Sequence, residues 1–265
     1  MALLIKYMFF FSTEVTSSKI SSDSPLYQRT KKAYELIKND VFGSLLEIGP
    51  GEGYGLNLIK EKCTDIYAID KANYAVKELT SKFPEATIIK QKVPPLPQIK
   101  NESLDFVICF QVIEHIRNDL NFLKEIHKKL KPGGTLFLTT PNIEQSVARN
   151  PWHYREYKHK ELEKLLNSIF NSVIIKGIKG NELSTKYYIE NKKRVQKILK
   201  WDFLRLEKKL PSLLLKIPYE VLNRINRKKL LNNHKDLVHK ISSKDYILTD
   251  KCDSNSLDFF CIIQK

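Results

Sequence analysis

The stretch "LLEIGPGEGYG", Leu45–Gly55, decides how the chain is to be read. An apolar run closes on an acid, Glu47, and then gives way to Gly49, Gly51, Gly53 and Gly55. Glycine lacks a Cβ, so it permits positive φ and lets a ligand approach the backbone closely. An apolar strand, a glycine turn and a helical pattern together make a nucleotide-type loop. In an open α/β sheet, ligands bind beyond the carboxyl ends of the strands.

The surroundings of the loop support such a sheet. Strands are expected over Leu45–Gly49, Ile66–Asp70, Thr87–Lys90, Leu104–Phe110, Gly134–Thr140, Val173–Gly177 and Leu257–Ile263. Helical patterns lie between them at Gly55–Lys62, Tyr74–Lys82, Leu120–Leu130 and Lys160–Ile169. This alternation predicts an α/β fold with a doubly wound parallel sheet, and near-continuous apolar runs such as "LDFVICF" are strands covered on both faces. After "VIIKG" the alternation stops, and a basic, mostly helical stretch precedes "LDFFCII". In "NKKRVQKILKWDFLRLEKKL", Val195, Ile198, Leu199, Phe203, Leu206 and Leu210 recur at close to helical spacing, with Pro211 as the stop. "PYEVLNRINRKKLL" reads as a second helix. The expected organisation is an N-terminal arm and helix (1–40), a cofactor-binding core (41–180), a basic helical insertion serving as lid or partner subdomain (181–250), and a final strand returning to the sheet (251–265).

The second expected strand ends in Asp70, 21 residues after Gly49. That distance suits a carboxylate accepting hydrogen bonds from a ribose diol, so the cofactor contains adenosine. A dinucleotide fits poorly: the G-x-G-x-x-G fingerprint would need glycine where Tyr54 stands, and the loop carries Glu47 and Glu52 with no basic residue. S-adenosylmethionine has no phosphate, and its cationic methionine end would be attracted by Glu47.

"LLEIGPGEG", "AID", "FVICFQVIEHI" and "LKPGGTLFLTTPN" resemble, in order and spacing, the successive motifs of class I S-adenosylmethionine-dependent methyltransferases. The resemblance covers about Leu45–Asn142. It is nearest to ubiquinone-biosynthesis O-methyltransferases and to bacterial methyltransferases of cell-surface glycans. It implies a Rossmann-like seven-stranded sheet with its last strand antiparallel. It also implies that Gly49, Gly51 and Gly53 line the methionine moiety with Glu47 behind them, and that Asp70 holds the ribose with Lys71 beside the adenine. Val93 would cover the adenine, Phe110 and Gln111 would lie near the sulfonium, and Tyr27 and Arg29 would close the site. One departure stands out: Lys92 occupies the place where the family carries an acid for the adenine amino group, and lysine cannot accept that bond.

Methyl transfer from a sulfonium is an in-line displacement, so the protein mainly aligns the reactants and excludes water. A base is needed only where the acceptor loses a proton, and His115 and His153 are the candidates. Glu114 and the stretch "NPWHYREYKHKEL", with Trp152, Arg155 and Tyr157, are assigned to the acceptor side; aromatic and ionisable groups together suit a sugar or a phenol. The leading acceptor is a small molecule or glycan methylated on oxygen. RNA or protein is the alternative, and a non-catalytic cofactor-binding protein is the alternative from another class. No metal site is expected.

Composition sets the remaining bounds. The 265 residues are 42% hydrophobic and 28% charged, which is globular. No run reaches the roughly 18 apolar residues of a membrane span. The apolar start, "MALLIKYMFFFSTE", lacks a basic lead-in and a cleavage site, so it is expected to be an arm rather than a secretory signal. The four cysteines form no CxxC pair and read as free thiols of a cytoplasmic protein. The net charge is +15, of which Lys186–Lys229 supplies 14 basic against 4 acidic residues. Such a segment suits an anionic partner, including a peripheral anionic membrane surface.

Overall fold

The computed structural model describes residues 16–265, and the apolar N-terminal stretch therefore lies outside the described residues. The described chain divides into two compact units. One contains residues 30–145, 154–179 and 247–265; the other contains 146–153, 180–246 and the residues up to Arg29.

The strands are β1 (Gly43–Ile48), β2 (Cys63–Asp70), β3 (Thr87–Lys90), β4 (Leu104–Phe110), β5 (Leu130–Pro141), β6 (Ser172–Gly180), β7 (Tyr246–Thr249) and β8 (Asp258–Gln264). They form one sheet in the order β3-β2-β1-β4-β5-β8-β6-β7. The pairs β2–β3, β1–β2, β1–β4 and β4–β5 are parallel, and β8 runs antiparallel between β5 and β6. The doubly wound parallel core with an antiparallel last strand is therefore present. The sheet has one strand more than the seven expected. The extra strand is β7, whose four residues "YILT" sit inside the stretch read as helical and are too few to show a period.

Sequence and burial explain each other in the central strands. From Phe106 to Phe110 every residue of β4 is buried, because helices and loops cover both faces. On one face Leu46, Ile48, Val107, Cys109, Leu136 and Leu138 pack with Phe122 and Ile126 of the helix Asp119–Lys129 and with Leu162 and Leu166 of the helix His159–Asn167. All four cysteines are unpaired, and Cys109 and Cys261 are buried in this sheet.

The second unit is helical and has a polar interior. Its long helices are Glu182–Leu199 and Ser212–Asn233. Asn181 starts the first by accepting a hydrogen bond from the Ser184 amide at 3.1 Å. The fully buried Asp23 carboxylate takes Nη1 of both Arg224 and Arg227 at 2.9 Å. Asn226 accepts from Arg194 Nε at 3.1 Å and donates to Asn191 at 2.7 Å. The single helix expected over residues 191–210 is not continuous. It stops at Leu199, and a short helix, Leu206–Lys209, restarts after a turn. The cause is Asp202, whose carboxylate accepts from the amides of Leu206 at 2.8 Å and Glu207 at 2.9 Å, while Arg205 takes a left-handed φ of 54°. The second helix begins at Ser212 and runs through Pro218 rather than starting there.

Candidate functional site

β1 delivers its carboxyl end into the glycine loop. Gly49, Gly51 and Gly53 all have positive φ, at 71°, 57° and 73°. At Gly49 the requirement is double: a Cβ would also lie 2.6 Å from Val112 Cγ2, so the loop after β1 abuts the loop after β4. At Gly55 a Cβ would lie 2.0 Å from the Tyr34 ring. The Gly49 amide donates to the Ile69 carbonyl at 2.8 Å, carrying the β1–β2 ladder one step past β1 and bringing Asp70 beside the loop.

Asp70 knits this edge together. One carboxylate oxygen accepts from the Gly51 amide at 3.3 Å, the other from Ala72 at 2.8 Å at the start of the helix Asn73–Lys82. The next residue, Lys71, is exposed. At the end of β4, Phe110 is buried, and Gln111 holds a left-handed φ of 57° without being glycine. Gln111 is fixed there by its amide to the Thr139 carbonyl at 3.0 Å and its side-chain nitrogen to Thr139 Oγ1 at 3.2 Å. A left-handed non-glycine at a strand's carboxyl end is backbone strain of the kind that collects at functional sites. Val93, after β3, packs against the core, and Lys92 is exposed.

Glu47 is the centre of the arrangement. It lies in β1 on the face opposite Leu46 and Ile48, and it is 1% exposed. Its Oε1 accepts a 2.6 Å hydrogen bond from the Tyr34 hydroxyl, and its Oε2 is buried with no partner among the described residues. Burial pushes the carboxyl up to about 7, against the lowering effect of the Tyr34 bond, and Asp70 adds a further push upward. Burial and the adjacent Glu47 push the Tyr34 phenol well above its ordinary value. Tyr34 belongs to the helix Ser24–Ile37, and its ring meets Phe110 edge-on at 4.8 Å and Tyr54 at 5.7 Å. A buried carboxylate with one open acceptor just ahead of a glycine-rich loop suits a cationic amino group. Tyr34 went unnoticed in the sequence, where only its place on the buried stripe with Ala33 and Ile37 marks it.

The acceptor-side residues divide. Glu114 is buried in a short turn, Ile113–His115, ahead of the helix Asp119–Lys129; its Oε2 accepts from Thr140 Oγ1 at 3.0 Å. His115 is half-buried in the same turn. Tyr157 is fully buried in the core, with its hydroxyl donating to Asp119 at 2.9 Å. Arg155 covers that ring, 4.9 Å from its centroid, and pairs with Asp119 at 3.0 Å. Both therefore brace the loop. Trp152 and His153 belong to the helical unit. Trp152 donates to Glu220 at 2.7 Å under the Lys216 ammonium, and His153 meets Asn150 at 2.8 Å. Tyr27 and Arg29 also belong to the helical unit; the Arg29 guanidinium lies 5.7 Å from the Tyr188 ring centroid. Glu47, Gly49, Gly51, Gly53, Asp70, Phe110 and Gln111 thus share one strand edge of one unit.

Comparison with known proteins agrees with this edge. The sequence profile described as "Methyltransferase domain" matches residues 25–173. A "Probable S-adenosylmethionine-dependent methyltransferase" of Mycolicibacterium smegmatis is 32% identical over 161 residues, covering 58% of this chain and 62% of the relative. A ubiquinone biosynthesis O-methyltransferase of Rickettsia conorii is 26% identical over 132 residues, covering 49% and 44%. The chain thus matches less than two-thirds of the length of these curated relatives. Among solved structures, a methyltransferase from Archaeoglobus fulgidus has a TM-score of 0.55 at 18% identity, covering 98% of this chain and 100% of that one. One from Thermotoga maritima reaches 0.58 at 13%, covering 100% and 96%. At such identities the likeness is one of fold. With the profile spanning more than half of the residues, and the glycine loop, Asp70 and Glu47 at its centre, the chain belongs to the S-adenosylmethionine-dependent methyltransferases of class I, Rossmann-like fold.

Proposed function

We propose that the chain methylates an oxygen atom of a small molecule or glycan, a sugar or phenol-like acceptor, with RNA or protein as the alternative acceptor class. When bound, S-adenosylmethionine supplies an electrophilic methyl on a sulfonium that is already a good leaving group. The observation that carries the cofactor part of the reading is Glu47: a buried carboxylate with Oε2 unpartnered among the described residues, two residues before the first glycine of the loop. The residues fit the cofactor's functional groups. Glu47 would hold the ammonium of the methionine end, and Asp70 would take the ribose hydroxyls. Phe110 and Gln111 would wall the reacting end. Glu47, Asp70, Phe110 and Gln111 bind and orient.

The acceptor hydroxyl must lose a proton during or after transfer, and His115 and His153 are the side chains proposed to take it. Oxygen as acceptor atom draws support from the ubiquinone biosynthesis O-methyltransferases among the relatives. A cytoplasmic site of action belongs to the same reading; it draws support from four unpaired cysteines, and no helix of the described residues is long and apolar enough to cross a membrane.

Calorimetric titration with S-adenosylhomocysteine, with NAD as control, tests the cofactor site. Micromolar-range binding of the first and none of the second is expected. Absence of S-adenosylhomocysteine binding would leave a degenerate fold acting as a binding module. The acceptor is then sought by mass spectrometry of nucleotide sugars, glycans and phenols incubated with the protein and S-adenosylmethionine, where the gain of one methyl on oxygen is the expected result.

A further inference from the structure

The helix Ser212–Asn233 is built inside out. Its buried face carries Asn226, Arg227 and Leu230, with the arginine bound to Asp23. Its exposed face carries Leu213, Ile217, Val221 and Ile225 at four-residue spacing, 76%, 56%, 52% and 46% exposed. In an ordinary globular helix the apolar stripe faces the core. The turn leading into this helix continues the pattern. Trp201 and Phe203 are 86% and 84% exposed, and they are the most exposed large apolar side chains of the described residues. The turn owes its shape to polar bonds rather than to burial of these rings: Asp202 caps its short helix, and Arg149 donates to the Leu210 carbonyl at 2.9 Å and to Ser212 Oγ at 2.6 Å. Lys197, Lys200, Arg205, Lys208 and Lys209 flank the two rings in the sequence, and all are exposed.

We propose that this face is a docking surface for a lipid bilayer bearing anionic headgroups. An apolar stripe of aliphatic residues with aromatic rings at its tip and lysines on its flanks is the pattern of a helix that lies in the membrane interface. Tryptophan and phenylalanine insert at headgroup depth, and long basic side chains reach back to the phosphates. Charge discriminates against the other occupants. A second copy of this chain would bring the same basic segment against itself, and a nucleic acid has no use for a row of leucine, isoleucine and valine. The helix lies on the surface and does not cross, since no helix of the described residues is long and apolar enough to span.

The test is co-sedimentation of the full chain with phosphatidylcholine vesicles, plain or containing about one-third phosphatidylglycerol. Binding to the anionic vesicles that weakens as salt is raised is expected. Trp201→Ala with Phe203→Ala should weaken it at least about tenfold, and Lys208→Gln with Lys209→Gln about fivefold per lysine. The variants' thermal melting and S-adenosylhomocysteine affinity should match the parent. Should a variant fail to fold, quenching of the parent's tryptophan fluorescence by brominated phosphatidylglycerol decides instead, and a lack of quenching refutes the surface. The proposal is overturned if the parent ignores anionic vesicles, if the aromatic variant binds them equally well, if RNA outcompetes them, or if light scattering shows a dimer that the aromatic variant dissolves.

Discussion

Replacing Tyr34 with phenylalanine removes one oxygen and leaves the ring contacts with Phe110 and Tyr54 in place. That oxygen is the partner of Glu47, at 2.6 Å. A hydrogen bond to a charged group contributes about 1.5–3 kcal/mol. With a pKa unit at roughly 1.4 kcal/mol, its loss raises the Glu47 carboxyl by about one to two units above its starting value. In the parent Glu47 titrates at about 7, so near that pH about half of the molecules carry the charge. In Tyr34→Phe the charged fraction falls to between roughly a tenth and a hundredth. If the charged carboxylate is what holds the amino group of S-adenosylhomocysteine, its affinity near neutral pH drops about five- to fifty-fold and recovers as the pH is raised by one to two units. Calorimetric titrations across pH on both proteins read this directly. An unchanged affinity with an unshifted pH profile would show that Glu47 does not carry the binding charge. Stability gives an independent check on the same group. Its folded pKa is raised, so the stability it contributes is fully present below its ordinary pKa and is lost as pH rises through about 7, by up to roughly 3 kcal/mol. Glu47→Gln should flatten that dependence in chemical denaturation while abolishing cofactor-product binding.

Gly49→Ala must adopt a left-handed φ of 71° and place its Cβ 2.6 Å from Val112, so equilibrium unfolding should show a loss of at least about 1–2 kcal/mol, part of it relieved by Val112→Ala. Asp70→Ala should lower S-adenosylhomocysteine affinity without unfolding the protein, and it should also cost about 1 kcal/mol because the Gly51 and Ala72 amides lose their acceptor; undiminished affinity would remove Asp70 from the ribose site. Asp23→Ala leaves two arginines partly or wholly buried without their carboxylate and should destabilise by about 3–5 kcal/mol in a urea titration. Tyr157→Phe should lower the melting temperature while leaving acceptor KM unchanged, since its buried hydroxyl is bonded to Asp119; a raised KM would return Tyr157 to the acceptor side.

The parts of the molecule that could be read from the sequence are those set by local chemistry. Continuous apolar runs gave the central strands, and closely spaced glycines gave the loop, because a positive φ and an absent Cβ are properties of single residues. The place of Asp70, at the end of β2 and bonded to the Gly51 amide of the loop, was legible from its spacing. Tyr34 was not, because its role depends on pairing with a residue on another element, and nothing in "KKAYELI" indicates that partner. The setting of Tyr157 was hidden for a related reason: an aromatic among charges gives no sign of its burial or of its bond to Asp119 on another element. The break after Leu199 was hidden because helical spacing continues through Phe203 and Leu206, while the Asp202 carboxylate supplies the competing local bonds. The inverted helix was hidden because periodicity reports that one stripe is apolar without reporting which way it turns.

The position of β8 bears on how the chain is made. β8 lies between β5 and β6, yet it leaves the ribosome after both of them and after the intervening residues 181–257, which hold the helices and β7. Throughout that interval β5 presents an open edge of backbone donors and acceptors, and β6 has no partner on that side. Closing such a sheet requires a long-range pairing late in synthesis, which slows folding and lengthens exposure of the edge. The helical segment, whose helices pack on one another and on Asp23, all of them made before β8, is then the part able to form while the sheet waits.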